Sequence, residues 1–313
     1  MKRFLWICLI AGLGLGGFLW WSNSRLAPEV QAATSARLAE VRAAPNSTLT
    51  LAGGPGVVSP CIGRPRFATA ASQNAMNLNN LAWSPFRRPE MGWRTYAPMV
   101  ASEIGSDCPY DSQVFADRLA GWQAAHGLPA SGVLDAASFD VMRVIWHRRR
   151  PFVQLSRSGC PAAPDPASLA TIPATMTYGS RPMLLRADAL AALKRMTADA
   201  RAADPAIARD RQALLVFSAF RAPVDDDLRC LTEGNCDNIG RTTCSAHRTG
   251  LAVDIVVGAR PGGRVDSAED ANRRFQSQTP AYRWLVRNAR RYGFVPYVYE
   301  PWHWEWAGAG LGA

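Results

Sequence analysis

Only four histidines occur in this chain of 313 residues. Two of them, His247 and His303, sit in its densest polar and aromatic stretches, CSAHRTGLAVDI (Cys244 to Ile255) and YEPWHWEW (Tyr299 to Trp306). In the first stretch Asp254 lies among Leu251, Ala252, Val253, Ile255 and Val256, a run that predicts a short buried strand. A buried carboxylate needs a partner to neutralise it, and a zinc ion would supply one. His247, His303 and Asp254 make three protein ligands and leave a fourth position open, the arrangement of a catalytic zinc site. Strand alternation puts Asp254 on one face with Ala252 and Val256, while Leu251, Val253 and Ile255 pack on the other.

Hydrolysis of an amide also needs a base to move the proton from water to the leaving amine. Glu300 is the candidate, three residues before His303, with Pro301 between them to bend the chain so that both side chains face one centre. Trp302, Trp304 and Trp306 are expected on the opposite face as rigid backing. A cation is needed beside the reacting carbonyl or a substrate carboxylate. Arg221, at the end of ALLVFSAF, fits that role, whereas Arg248 adjoins a ligand and is expected to point away.

These residues resemble the VanY-type D-alanyl-D-alanine carboxypeptidases, zinc peptidases of bacterial peptidoglycan. The family pattern SxHxxGxAxD reads here as Ser245, His247, Gly250, Ala252 and Asp254, and its ExxH reads as Glu300 to His303. SAFR, Ser218 to Arg221, is similar to the family's Ser-Gly-Tyr-Arg stretch, and YRWLVRNARRYGF is similar to its helix before the second pattern. The resemblance implies zinc bound by His247, Asp254 and His303, Glu300 as general base, and Arg221 with Ser245 contacting substrate. The polar residue, often glutamine, that follows the family's arginine stretch is not apparent in RAPVDDDL, and the insertion CLTEGNCDNIGRTTC lies beside the site. The same chemistry would serve an endopeptidase or an L,D-carboxypeptidase. A protein that binds wall without cutting it is the non-enzyme alternative.

The expected scaffold is α+β, a small antiparallel sheet flanked by helices as in LAS-type zinc peptidases, preceded by a small all-α domain. ADALAALKRMTADARAA predicts an amphipathic helix through Leu190, Leu193, Met196 and Ala200. TPAYRWLVRNARRYGF predicts another, with Thr279 as N-cap, Pro280 at its first position and Gly293 at its close. Upstream, Phe115, Leu119 and Trp122 fall at helical spacing before Gly127. A second helix is expected from the Asp135 N-cap, burying Phe139, Met142 and Trp146 and ending at Arg148 to Arg150 and Pro151. This pair is similar to the small helical peptidoglycan-binding domain appended to bacterial wall hydrolases. The expected organisation is a transmembrane anchor or signal segment over residues 1–26, a tether over 27–100, the helical domain over 101–150, a linker over 151–175 and the zinc peptidase over 176–313.

Lys2 and Arg3 precede an apolar run from Phe4 to Trp21, which predicts export with an uncleaved inner-membrane anchor and a periplasmic or extracytoplasmic body. Six cysteines besides Cys8 (Cys61, Cys108, Cys160, Cys230, Cys236 and Cys244) suit an oxidising compartment, with fifteen possible pairings. A structural zinc site using Cys244 and His247 is the weaker reading, since CxxC pairs are absent. The net charge of +10 predicts an anionic partner. Export and the lack of any base-reading pattern exclude nucleic acid and favour peptidoglycan.

Overall fold

The structure, a computed structural model, describes residues 61–233 and 244–308. The expected anchor, the first half of the expected tether and Cys236 lie outside those residues. Among the described residues no helix is long and apolar enough to cross a membrane.

Among the described residues a 3-10 turn (Pro65–Phe67) leads into α1 (Ala68–Asn80), the short ribbon β1 (Ala82–Trp83) and β2 (Glu90–Met91), and α2 (Ala97–Glu103). The helical pair follows as α3 (Gln113–Ala125) and α4 (Ala136–Arg149), and α5 (Pro151–Leu155) comes directly after it. Asp135 caps α4 as expected, its carboxylate accepting from the Ser138 amide at 2.8 Å. A second ribbon pairs β3 (Leu169–Thr171) with β4 (Leu184–Arg186), leading into α6 (Ala187–Ala203) and α7 (Pro205–Arg209). Leu190, Leu193, Met196 and Ala200 form the buried stripe of α6.

The remaining elements are β5 (Val216–Ser218), α8 (Pro223–Glu233), β6 (Ala252–Ile255), α9 (Asp270–Gln276), α10 (Pro280–Asn288), β7 (Phe294–Tyr297) and β8 (Glu300–Trp306). Their four strands form one antiparallel sheet in the order β5-β6-β8-β7. The fold is therefore α+β with a small antiparallel sheet, as the sequence predicts. Strand β5 is shorter than ALLVFSAF suggests because its flanks bond elsewhere, Leu214 to the Val256 carbonyl and Phe220 to Leu184. Thr279 caps α10 through the Tyr282 amide. The chain then tightens into a 3-10 turn over Ala289–Tyr292 before Gly293.

Two expected segments differ from the structure. From Cys61 onward the expected tether is folded: Cys61 is disulfide-bonded to Cys108, and Trp93 and Tyr96 are at most 1% exposed. Its buried residues do recur at helical spacing, Phe67, Ala70, Ala71, Asn74 and Leu78 and then Trp93, Tyr96, Val100 and Ile104, but the first run is mostly small or polar and the second helix is only seven residues long. The expected linker over 151–175 is likewise tied down. It carries α5 and β3, the buried Phe152, and Cys160 disulfide-bonded to Cys244. Both crosslinks constrain the unfolded chain.

The helical pair does not have a core of its own. Phe139, Met142 and Trp146 belong to the same apolar cluster as Leu193, Val253, Leu285 and Trp304. Phe139 is fully buried, with its ring 4.7 Å from both Trp83 and Tyr96 and 5.9 Å from Trp146. Phe139→Ala is expected to destabilise the entire unit by about 3–5 kcal/mol, seen as one urea transition shifted to lower concentration. A variant that loses only the helical signal while the sheet keeps its original midpoint would show two separate cores.

Candidate active site

Strand register builds the centre. Asp254 on β6 pairs with Ser218 on β5 and His303 on β8, so the three residues form one row across the sheet. His247 enters from the turn Ala246–Thr249 that precedes β6. That turn closes at Gly250 with φ +65°, where an added Cβ would lie 3.1–3.2 Å from the side chains of Leu169, Arg186 and Pro164. Glycine is needed there both for the left-handed backbone and for the close approach.

The ligand atoms of His247, Asp254 and His303 all lie within 4.8 Å of one another, and all three residues are buried. Asp254 Oδ2 is 3.2 Å from His247 Nε2, and Oδ1 is 2.9 Å from His303 Nδ1. Adjacent donors around a tetrahedral centre with bonds of about 2 Å sit roughly 3.3 Å apart, so the two carboxylate–imidazole separations suit zinc. The far side of each imidazole already has an acceptor: His247 Nδ1 is 2.8 Å from the Ala219 carbonyl, and His303 Nε2 is 3.2 Å from Glu305. With zinc held between them, each ring could keep its N–H on that far side and turn the nitrogen nearer Asp254 toward the metal.

Burial opposes charge on Asp254, but the His247 charge and hydrogen bonds from both imidazoles hold its carboxyl well below the usual range. Burial likewise opposes charge on His303, yet its bonds to Asp254 and Glu305 push it up to about 9. Glu305, against its burial, is drawn down to about 2, first by Arg150 and then by His303.

Glu300 is half-buried at the start of β8, outside the three-residue cluster, and pairs in register with Tyr297. The β7 partner jumps from Trp304 to Glu300 between the adjacent Pro296 and Tyr297. Residues 301–303 therefore bulge on that edge, which releases Glu300 from simple alternation with His303. The Tyr297 ring lies 6.0 Å from that of His303, and burial, followed by the Glu300 charge, pushes its phenol up. Trp302 and Trp304 are buried as expected and Trp306 is half-buried.

Arg221 is fixed by one nitrogen: Nη1 donates to Asp226 Oδ1 at 3.2 Å and to Ser245 Oγ at 3.1 Å. Asp226, on α8, is the polar partner that RAPVDDDL does not reveal by residue type. It is 4% exposed and also accepts from the Ser245 amide at 2.8 Å, from Ser245 Oγ at 2.9 Å and from Arg248 Nε at 3.2 Å. Burial opposes its ionisation, but the Ser245 and Arg221 contacts hold its carboxyl below the usual range. Arg248 is buried on Asp226 and Asp227 and so shares Asp226 with Arg221. Cys244 is a disulfide staple beside the centre and not a ligand. The residues missed in the sequence are Asp226, Glu305 and Arg150. The one available signal was Glu305 two positions after His303, which places both on the same strand face.

Residues 240–309 match the family model VanY, described as D-alanyl-D-alanine carboxypeptidase. Arg221 falls outside the matched segment. Among solved structures, the LdcB LD-carboxypeptidase, presented as revealing the molecular basis of peptidoglycan recognition, is similar at 24% identity. That match covers 50% of this chain and 77% of that one, with a TM-score of 0.38. Comparison with curated proteins gives no match. The VanY match spans Ser245, His247, Asp254, Glu300 and His303 and supports a carboxypeptidase. Over residues 240–309 the chain is thus similar to the VanY family.

Proposed function

We propose that this protein is a zinc-dependent carboxypeptidase of the D-alanyl-D-alanine type that trims peptidoglycan stem peptides outside the cytoplasm, held at the inner membrane by its N-terminal segment. The observation that carries this reading is the convergence of His247, Asp254 and His303 within 4.8 Å, with each imidazole's other nitrogen already facing an acceptor. Zinc held by these residues would polarise the scissile carbonyl and acidify water. Glu300, beside Tyr297 on the rim of the centre, takes the proton from the attacking water and passes it to the leaving amine. Arg221 offers its guanidinium to the terminal carboxylate of the substrate, and Ser245 and Asp226 hold it in place. Ser245 thus acts on substrate through Arg221 as well as by direct contact. The helical pair, which shares the catalytic core, contributes wall contact as part of one folded body.

The deciding experiment incubates the full-length protein with defined muropeptides and identifies the products by mass spectrometry, with and without a zinc chelator. Chelator-sensitive release of D-alanine from pentapeptide stems is expected. Release from tetrapeptide stems alone would reassign the enzyme as an L,D-carboxypeptidase, separation of cross-linked dimers would reassign it as an endopeptidase, and no chelator-sensitive product would overturn the enzyme reading.

Glu300→Gln is expected to lower kcat by roughly 10²- to 10⁴-fold while zinc content by atomic absorption stays at the parent level. Near-parent kcat would remove Glu300 from the role of base. Arg221→Met is expected to lower kcat/KM by roughly ten- to a hundredfold, the worth of a charge-assisted hydrogen bond, on peptides ending in a free carboxylate. On the matching C-terminal amides the loss should be much smaller, and an equal loss on both would show that Arg221 does not read the carboxylate.

A further inference from the structure

Glu305 is a fully enclosed carboxylate, 1% exposed, on the same face of β8 as His303. Its partners come from far away in the chain. Arg150, the residue ending α4, donates from Nε to Oε1 at 2.6 Å, and the Phe152 amide in the first turn of α5 donates to Oε2 at 2.9 Å. Arg150 is itself 7% exposed, and its guanidinium lies over the Tyr297 ring at 4.0 Å, so both ends of the pair are held. With Oε1 shared between Arg150 and His303 Nε2 and Oε2 taken by Phe152, Glu305 has no oxygen left to become a metal ligand.

A metal binds the neutral imidazole, and the location of its one N–H decides which nitrogen can bind. In His303 the two nitrogens face different carboxylates, Nδ1 toward Asp254 and Nε2 toward Glu305. We infer that Glu305, clamped by Arg150 and the Phe152 amide, is the positioning residue that keeps the His303 proton on Nε2 and its Nδ1 lone pair toward the metal. The end of the helical pair is then part of the metal centre. Arg150 keeps Glu305 in the one orientation that serves His303, and Phe152 fixes the other oxygen.

This inference rests on the proposed zinc site, and its test measures metal binding without substrate. Zinc dissociation constants are obtained for the full-length protein by competition with a chromophoric chelator, together with urea unfolding of the metal-free form. Glu305→Gln keeps the shape of the side chain and removes its charge, and is expected to weaken zinc roughly 10- to 100-fold. Arg150→Gln is expected to weaken it in the same direction, and Arg150→Lys to restore most of the loss. If Arg150→Gln does not fold, Glu305→Gln alone decides. Parent-level zinc affinity in Glu305→Gln, or an Arg150→Gln protein that is less stable yet binds zinc unchanged, overturns the inference while leaving the peptidase reading intact. A parent protein that takes up no zinc overturns both.

Discussion

The structure turns on a single buried charge, the Asp254 carboxylate in the middle of an apolar strand. Ala252, Val253 and Ile255 around it are fully buried and Asp254 itself is 8% exposed, so solvent does little to neutralise it and the protein brings a partner to each oxygen. It does so from two directions, His247 from the turn before the strand and His303 from the neighbouring strand. The positive φ at Gly250 lets His247 fold back onto Asp254, and the pairing of Asp254 with His303 fixes the register of β6 against β8. Register of a central strand is normally set by apolar packing; here a polar contact and the packing specify the same alignment.

The charges brought to Asp254 need fixing in turn, and the chain uses arginine for this repeatedly. Arg150 meets Glu305, which meets His303. Arg221 and Arg248 share Asp226 next to Ser245. Arg273, fully enclosed, meets Glu90 and Asp270 and donates to the Tyr299 carbonyl, directly before Glu300. A planar guanidinium can bind several acceptors at once, which suits buried sites better than a flexible ammonium. Part of the basic charge that the composition presents as a lure for anionic partners is therefore spent inside the fold.

How much of this was legible depended on the distance along the chain. His247 and Asp254 lie seven positions apart and Glu300 and His303 three, so local backbone geometry ties their spacing to their roles and the patterns could be read directly. The caps at Asp135 and Thr279 were legible for the same reason. Arg150 and Glu305 are 155 positions apart, and no local pattern joins them. Asp226 was hidden among three successive aspartates, since only the packing of α8 on the Ser245 turn selects which one is buried. The fold of residues 61–100 was harder to read because its helical faces are short, Ala and Asn fill much of the first, and Trp93 and Tyr96 are buried against Phe115 and Phe139 far along the chain.

The same long-range contacts change what the helical pair means. A detachable binding module needs its own core and a sparse join to its neighbour. Here Phe139 and Trp146 pack in the core that also holds Trp304, and the residue ending α4 is a direct partner of the carboxylate behind His303. Tilting or loosening this pair would move Arg150, then Glu305, and with it the support of a proposed metal ligand. Contact between the helices and wall polymer would therefore bear on the catalytic centre through two hydrogen-bonded residues, without any need for a hinge between domains.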